Sequence, residues 1–221
     1  MAARRPHPRR PESPGGPPVP CLGGHAGGAF RPSPDPSSPS GLRRAVFLDR
    51  DGTLNRDVGY LWRWEDFEWL PGAVDALRLL RDAGLFCAVV TNQSGVARGL
   101  YREKDVAALH LRMGSELAGH GLGVPPLYYC PHHPDFTGPC ACRKPAPGML
   151  ERAAREHGLD LPRSFMVGDK RSDIGAGLAA GCTSVLVRTG YGAGTGPPPE
   201  GVLEAPDVLG AARLIADLAG S

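Results

Sequence analysis

Short, continuous runs of apolar residues alternate along this chain with longer stretches in which apolar residues recur every three or four positions. Runs of the first kind predict buried strands of a parallel sheet, and stretches of the second kind predict helices packed on that sheet. The alternation begins near Leu42 and continues to the end of the chain. It predicts an α/β fold, a doubly wound parallel sheet with helices on both faces.

The predicted elements follow one another in a regular order. Strands are expected at 46–48, 86–91, 127–130, 164–168 and 183–188. Helices are expected after Pro71, over 102–119, 147–157 and 171–180, and from about 209. The helix after Pro71 is expected to bury Val74, Leu77, Leu79 and Leu80. The gaps between these elements leave no room for a cap domain.

Loops are therefore expected to hold any ligand. The segment 55–70 carries Trp62, Trp64, Phe67 and Trp69 and predicts a flap. Together with 130–142, its first part, 55–66, is expected to contact the substrate. The Gly/Pro-rich segment 191–199 follows a late strand, and no helix opens directly after it, which favours a flexible return loop over a nucleotide-binding turn.

The first 41 residues differ from the rest of the chain. They are dense in Pro, Gly and Ser without apolar periodicity, and we expect a disordered tail before a single domain at 42–221. Residues 1–44 hold seven Arg against Glu12 and Asp35, so the overall charge of +2 hides a mildly acidic body. Scattered arginines without interleaved aromatic residues make nucleic-acid binding an unfavoured hypothesis. The absence of a long apolar run predicts a cytoplasmic protein that contacts no membrane.

Two carboxylates one residue apart follow the first predicted strand. Asp49 and Asp51 are expected to project from the strand tip with Arg50 pointing the other way, while Gly52 and Thr53 turn the chain so that backbone amides can approach an anion. A calcium loop is excluded, because it needs glycine at its sixth position and an acidic residue at its twelfth. This chain has Leu54 and Tyr60 there.

Polar residues also follow two later strands. Thr91 and Asn92 end the second, and Asp169 ends another, with Asp173 four residues further on. The sequence 143–145, Arg-Lys-Pro, supplies two cations before a predicted helix. Because the carboxyl ends of parallel strands lie at one edge of a sheet, these groups are expected to surround one site.

Three thiols and two imidazoles lie within thirteen residues, at 130–142. Cys130, His132, Cys140 and Cys142 supply a closed tetrahedral set, which predicts a structural zinc site, with His133 as an alternative ligand. Disulfides or free thiols are the competing interpretation, although Cys-x-Cys pairs bridge poorly. Cys87 and Cys182 stand among apolar or small residues and are expected in the core.

The four segments 47–53, 91–99, 140–145 and 167–170 together resemble the haloacid dehalogenase superfamily of phosphohydrolases. Within it they are most similar to the D-glycero-D-manno-heptose 1,7-bisphosphate 7-phosphatases, and next to the histidinol-phosphate phosphatases. The resemblance covers about 45–218. It implies a small-molecule sugar-phosphate substrate and favours His132 as the fourth zinc ligand.

The chemistry expected of these residues is phosphate-ester hydrolysis. Asp49 is the nucleophile that forms an aspartyl-phosphate, and Asp51 is the general acid and base. Mg²⁺ is expected on the Asp49 carboxylate, the Asp51 carbonyl and Asp169, with Asp173 orienting the site. Thr91 and Lys144 hold the phosphoryl oxygens.

The resemblance further implies the residues that surround the sugar and its phosphates: Asp57, Gly59, Tyr60, Asn92, Gln93, Ser94, Arg143 and Lys170. Histidinol-phosphate phosphatase is the alternative activity, since it shares every catalytic residue. A non-catalytic scaffold that uses the basic tail is the alternative class. We expect the enzyme to act as a monomer. The sequence leaves the anomer of the heptose open.

Overall fold

A seven-stranded sheet forms the centre of the computed structural model, which describes residues 24–25 and 41–220. Six strands are parallel and one edge strand, β1, is antiparallel, in the order β1-β4-β3-β2-β5-β6-β7. The predicted parallel sheet is confirmed. The strands are β1 Gly24–His25, β2 Ala45–Leu48, β3 Phe86–Asn92, β4 Leu127–Cys130, β5 Phe165–Gly168, β6 Thr183–Val187 and β7 Leu203–Ala205.

Helices cover both faces of this sheet. Successive strand residues point to opposite faces, so both faces carry apolar side chains that must be buried. Val46 and Leu48 face a core shared with the first and last helices, whereas Ala45 and Phe47 face the core under Leu150. The helices are α1 Ala73–Asp82, α2 Glu103–Gly119, α3 Pro134–Thr137, α4 Gly148–His157, α5 Arg171–Ala179 and α6 Val208–Gly220. Single 3-10 turns lie at Trp64–Asp66, Leu161–Arg163 and Gly190–Gly194.

The strand order brings the predicted site together. Strand β2 pairs in parallel with β3 on one side and with β5 on the other, so Leu48 lies beside both Val89 and Val167. The residues that follow these strands therefore leave the sheet at one edge. Within 41–220, the connections from β2 to β3 and from β3 to α4 hold only the flap, α1, α2, β4 and α3, and no cap domain is inserted.

The structure differs from the sequence prediction in a few elements. Strand β7 was not predicted, because three residues give no periodicity to detect. The predicted metal loop contains the short helix α3. Helix α1 buries Ala73 and Ala76 with Leu77 and Leu80, while the predicted Val74 and Leu79 lie at the partly buried margin of its apolar face.

The N-terminal segment is described only at Gly24–His25, which pairs with Leu127 and Tyr128 at the edge of β4. The rest of 1–40 lies outside the described residues, so the expectation of a disordered tail stays a prediction. Among the helices that the structure describes, none combines the length and hydropathy that a membrane crossing requires. Cys87 and Cys182 are buried, as predicted.

Candidate active site

The predicted polar groups meet at the carboxyl edge of the sheet. Asp49 and Asp51 follow β2, Thr91 lies near the end of β3, Asp169 follows β5, and Lys144 reaches in from the loop before α4. All five are buried, with at most 9% of any residue exposed. The spacing of the motifs along the sequence therefore predicted a real spatial cluster.

Lys144 joins two carboxylates at the centre of this cluster. Its Nζ lies 2.7 Å from Asp49 Oδ1 and 2.8 Å from Asp173 Oδ1, and it donates a hydrogen bond of 2.8 Å to the Val90 carbonyl. Burial disfavours the ammonium, but the carboxylates of Asp173 and Asp49 outweigh it and raise the pKa of Lys144. The side chain is therefore a fixed cation beside the proposed nucleophile.

The carboxylates themselves crowd one another. Burial, together with the charge of Asp173, raises the pKa of Asp49 to about 7 against the attraction of Lys144. Burial raises the pKa of Asp169 to about 6, with Lys170 opposing and Asp173 adding to the shift. Carboxyl groups that resist ionising together are stabilised in their ionised form by a further cation.

A metal ion fits this arrangement. One oxygen each from Asp49, Asp169 and Asp173 lies within 4.8 Å of the others, and all three residues are buried. Hard carboxylate oxygens suit Mg²⁺, which would hold the three negative charges together. Asp173 belongs to this set and also caps α5, where its Oδ2 accepts the Lys170 backbone N–H at 2.9 Å.

The prediction that Arg50 points away from its two carboxylate neighbours is wrong. Its guanidinium is fully buried and holds the Asp51 carboxylate, with Nη2 at 2.8 Å from Oδ2 and Nε at 3.0 Å from Oδ1. His110 Nε2 lies 3.1 Å from the other terminal nitrogen. Neighbouring side chains point to opposite faces only within a strand. At Arg50 the chain has already left the strand and turned, since the Arg50 carbonyl accepts the Leu54 N–H.

Asp51 receives two further hydrogen bonds. Asn55 Nδ2 donates at 3.1 Å to Oδ1, and Gln93 Nε2 donates at 2.9 Å to Oδ2. Burial alone would raise the pKa of Asp51, but the Arg50 charge and these hydrogen bonds lower it. Gln93 is itself oriented by the Tyr101 hydroxyl, 2.8 Å from Oε1. The Asp51 side chain is thus held ionised and in one orientation.

Backbone packing around Asp169 is unusually close. Gly52 and Gly190 both have positive φ, of 95° and 51°, and a Cβ on either would lie 2.3 Å from Asp169 Oδ2. The Tyr191 backbone N–H donates to the same oxygen at 2.8 Å, and Thr189 Oγ1 donates to the Gly52 carbonyl at 2.7 Å. Only glycine can bring two chain segments this near the carboxylate.

Several of the predicted substrate residues position other groups. Asn92 Nδ2 donates to the Lys144 carbonyl, and the Lys144 N–H donates back to Asn92 Oδ1, both at 3.1 Å. Gln93 also donates to Thr91 Oγ1 at 2.8 Å, and Arg143 Nη1 donates to the His132 carbonyl at 3.1 Å. These contacts fix the geometry of the site.

The remaining predicted substrate residues lie in the flap, directly after Asp169 and in the turn after β3. Lys170 Nζ lies 2.9 Å from Asp57 Oδ2, and Asp57 Oδ1 accepts the Gly59 N–H at 2.7 Å. Tyr60 is exposed, and Ser94 is half-buried in the turn after β3. Burial disfavours a charged Lys170, but Asp49 and Asp169 outweigh it, raising the pKa of Lys170. A second cation therefore faces the site from this side.

The predicted zinc ligands come together beside the cluster. The Sγ atoms of Cys130, Cys140 and Cys142 are 3.2 to 3.6 Å apart, and His132 Nδ1 lies 3.5 Å from Cys142 Sγ and 3.7 Å from Cys130 Sγ. Zinc–sulfur bonds of about 2.3 Å place tetrahedral ligands roughly 3.8 Å apart, so the four atoms fit one Zn²⁺. Burial raises the pKa of the Cys130 thiol to about 12, and a bound cation would favour its thiolate.

His133, the alternative ligand, contacts other groups. Its Nδ1 accepts the Asp135 N–H at 3.2 Å, and its Nε2 lies 3.2 Å from Arg98 Nη2. The set whose ligand atoms lie within 4.8 Å of one another contains His132 instead.

Some residues of the site were not predicted from the sequence. Asn55 donates to Asp51 directly, and Tyr101 orients the Gln93 side chain that donates to Asp51. Gly190 and Tyr191 contact Asp169. The segment at 190–194, predicted to be a flexible return loop, forms a 3-10 turn against the site. The glycine spacing of this segment was the available signal, because closely spaced glycines also indicate a close backbone approach.

Known proteins resemble the chain across this whole region. The family model described as "HAD-hyrolase-like" matches residues 141–204. The D-glycero-beta-D-manno-heptose-1,7-bisphosphate 7-phosphatase of Yersinia pestis is 47% identical over 152 residues, which cover 66% of this chain and 81% of that protein. The D-glycero-alpha-D-manno-heptose-1,7-bisphosphate 7-phosphatase of Photorhabdus laumondii subsp. laumondii is 39% identical over 178 residues, which cover 78% of this chain and 96% of that protein.

A solved structure resembles the fold as well. It is the D,D-heptose 1,7-bisphosphate phosphatase from B. bronchiseptica, complexed with magnesium and phosphate, with a TM-score of 0.73 and 37% identity. The match covers 79% of this chain and 99% of that chain.

Magnesium is expected to raise the melting temperature more at about pH 8 than at about pH 5.5. Asp49 and Asp169 have pKa values near 7 and 6 when folded, above the ordinary 3.8. As the pH rises from about 4 to 7, the unfolded chain ionises first, so the metal-free protein loses stability over this window. At higher pH both carboxylates are free to bind the ion.

Thermal melting at constant ionic strength, with and without Mg²⁺, measures this difference. The Asp169→Asn variant is the matched control and should lose most of the magnesium-dependent shift. An equal shift at both pH values, or a full shift in the variant, would show that these carboxylates do not bind the ion.

Proposed function

Because the chain belongs to the family of haloacid dehalogenase-like D-glycero-D-manno-heptose-1,7-bisphosphate 7-phosphatases, we propose that it removes the 7-phosphate of this heptose bisphosphate. It is a phosphoric monoester hydrolase. The observation that carries the mechanism is the Asp49 carboxylate, 2.7 Å from the buried Lys144 ammonium at the end of the central strand. A carboxylate held beside a fixed cation suits attack on an anionic phosphate.

The first half of the proposed reaction transfers the phosphoryl group to the protein. An Asp49 oxygen forms a bond to phosphorus while the bond from phosphorus to the sugar oxygen breaks. The sugar oxygen leaves with the electron pair and takes a proton from Asp51. Thr91 Oγ1 and Lys144 Nζ contact the phosphoryl oxygens, and Lys144 offsets the charge that gathers there.

The second half regenerates the enzyme. After heptose 1-phosphate, the product of the first half, has left, water attacks phosphorus and Asp51 takes its proton. The bond from phosphorus to Asp49 breaks, which releases inorganic phosphate and restores the Asp49 carboxylate. The lowered pKa of Asp51 leaves it ionised in the free site, ready for this step. For the first step it needs a proton, which a monoanionic phosphate can bring, since the second pKa of a phosphate ester is about 6.

Magnesium supplies charge neutralisation when bound and brings the anionic nucleophile and the anionic phosphate together. Its ligands in this proposal are the Asp49 carboxylate, the backbone carbonyl of Asp51 and Asp169. Burial, with the charge of Asp173 adding to it, raises the pKa values of Asp49 and Asp169, which supports a cation here. Asp173 belongs to the same carboxylate set and also contacts Lys144.

The sugar and its second phosphate are proposed to contact the loops around this centre. The proposed contacts are Asp57, Gly59, Tyr60, Asn92, Gln93, Ser94, Arg143 and Lys170. The enzyme is proposed to act as a monomer on a small-molecule sugar phosphate. We also propose a cytoplasmic location, because Cys130 and Cys140 are free thiols, which persist where thiols stay reduced.

Zn²⁺ is proposed on Cys130, His132, Cys140 and Cys142, in a purely structural role. The support is the close spacing of the four ligand atoms and the burial of three of these residues, with Cys140 partly exposed. Arg143 follows the last ligand and holds the His132 carbonyl, so a folded loop also fixes the approach of Lys144 to Asp49.

The substrate assignment is tested by phosphate release from purified protein. Heptose 1,7-bisphosphate is expected to give a kcat/KM at least about a hundredfold above histidinol phosphate, because cations line the site and suit a second anionic end better than a cationic one. Asp49→Asn, purified identically, is the blank for contaminating phosphatases, since it removes the nucleophile with little change in volume. A better rate with histidinol phosphate would contradict the assignment.

The zinc loop makes a separate prediction. One equivalent of zinc should co-purify, and Cys142→Ser should lose zinc, stability and activity together, because the loop has little core beneath it. Cys182→Ser is the matched control, since Cys182 is a buried thiol outside the loop. Elemental analysis and thermal melting measure these effects. Protein that contains no zinc and keeps its structure in strong chelators would contradict the site.

A further inference from the structure

A cleft of about 330 Å³ opens beside the carboxylate cluster. The flap residues Arg56, Asp57 and Gly59 line one side, and Gly190 and Tyr191 line the other. Gly52, whose α-carbon region packs against Asp169, also lines it, so the cleft borders the catalytic edge directly. Its volume is at the lower end of the range of about 300 to 1,000 Å³ that is common for small-molecule sites.

Tyr191 lines this cleft with an exposed aromatic side chain. Its backbone N–H is bound to Asp169 Oδ2 at 2.8 Å, while 63% of the residue remains exposed. The Lys170 ammonium lies 4.8 Å from the centre of the ring. An exposed ring on a backbone anchored to Asp169 offers an apolar face beside the carboxylate cluster, which suits stacking against the C–H groups of a sugar.

Arg56 supplies a cation that an incoming anion can use. Its guanidinium pairs with Glu68 at 2.8 Å, but the two side chains are 58% and 65% exposed. Such a solvated pair contributes little stability, so Arg56 can exchange Glu68 for a phosphate at small cost. A guanidinium also binds two phosphate oxygens at once, which makes it more selective for phosphate than a point charge.

The neighbouring ion pair adds to this argument. Asp57 follows Arg56 directly and is neutralised by Lys170, 2.9 Å away. The acidic group that lines the cleft is therefore already paired, so it opposes the binding of an anion by Arg56 only weakly. Arg143, by contrast, is half-buried and donates to the His132 carbonyl.

We infer that this cleft receives the non-reacting end of the sugar bisphosphate, with Arg56 binding its second phosphate and Tyr191 stacking against the sugar. The inference rests on the proposed function and adds two specificity-determining residues to it. Neither takes part in the phosphoryl transfer, so their effects are expected in KM more than in kcat.

Kinetics with heptose 1,7-bisphosphate and heptose 7-phosphate separate the two roles, because these substrates differ only in the second phosphate. Arg56→Gln should lower kcat/KM for the bisphosphate at least about tenfold more than for the monophosphate, the loss typical of a charged hydrogen bond. Arg78→Gln removes an equivalent half-exposed cation, which pairs with Asp75 on α1, and should leave both values unchanged. Equal losses on both substrates with Arg56→Gln would overturn the phosphate contact.

Tyr191 is tested with a third substrate that lacks the sugar. Tyr191→Ala should raise KM for both heptose phosphates at least about fivefold more than for ethyl phosphate, and Tyr191→Phe should restore the wild-type values because the ring is retained. A uniform effect on all three substrates, or failure of Tyr191→Phe to rescue, would overturn the stacking role.

Failure of the proposed function itself gives a different result. In that case the wild-type enzyme does not hydrolyse heptose bisphosphate, and the same variants are compared on the bisphosphate and monophosphate of whichever sugar it hydrolyses. If Arg56→Gln lowers kcat/KM more for that bisphosphate than for that monophosphate, the cleft assignment is kept. If it lowers both equally, the cleft assignment is wrong.

Discussion

The ammonium of Lys144, buried between Asp49 and Asp173, is the interaction on which the rest of the site depends. A charge taken out of water is costly unless it is paired, and here one cation serves two carboxylates that would otherwise repel each other. The pair with Asp49 keeps the proposed nucleophile close to ionisation, and the pair with Asp173 ties the cluster to the first turn of α5. Removing the cation would leave two buried carboxylates without the ion pair that joins them.

The surrounding loops serve to hold this cation in place. Asn92 binds both the N–H and the carbonyl of Lys144, so the end of β3 clamps its backbone. Arg143, the residue before Lys144, donates a hydrogen bond to the His132 carbonyl within the proposed zinc loop. A loop with four close metal ligands can be rigid without a large hydrophobic core, which explains how a lysine from outside the sheet reaches the end of the central strand.

The sequence predicted the groups whose position follows from the strands. Asp49, Thr91 and Asp169 end three adjacent parallel strands, so the sheet order alone brings them together. The direction of Arg50 was predicted incorrectly and the contact of Tyr191 with Asp169 was not predicted, because each residue lies where the chain has left regular structure. Their side-chain directions depend on local turns and on packing against distant segments, and neither leaves a periodic signal in the sequence. The four proposed zinc ligands could be predicted as a group because two of them form a Cys-x-Cys pair close to the others in the sequence.

The ionisation of Asp49 tests most directly whether Lys144 is the group that keeps the buried nucleophile charged. Carbon-detected NMR titration of the Asp49 carboxyl, in folded metal-free protein, gives its pKa in the wild type and in Lys144→Met. The account predicts a value near 7 in the wild type. It predicts a value higher by at least about one unit in the variant, because an opposite charge in contact typically shifts a carboxyl by one to three units. An unchanged pKa in folded Lys144→Met protein would contradict it.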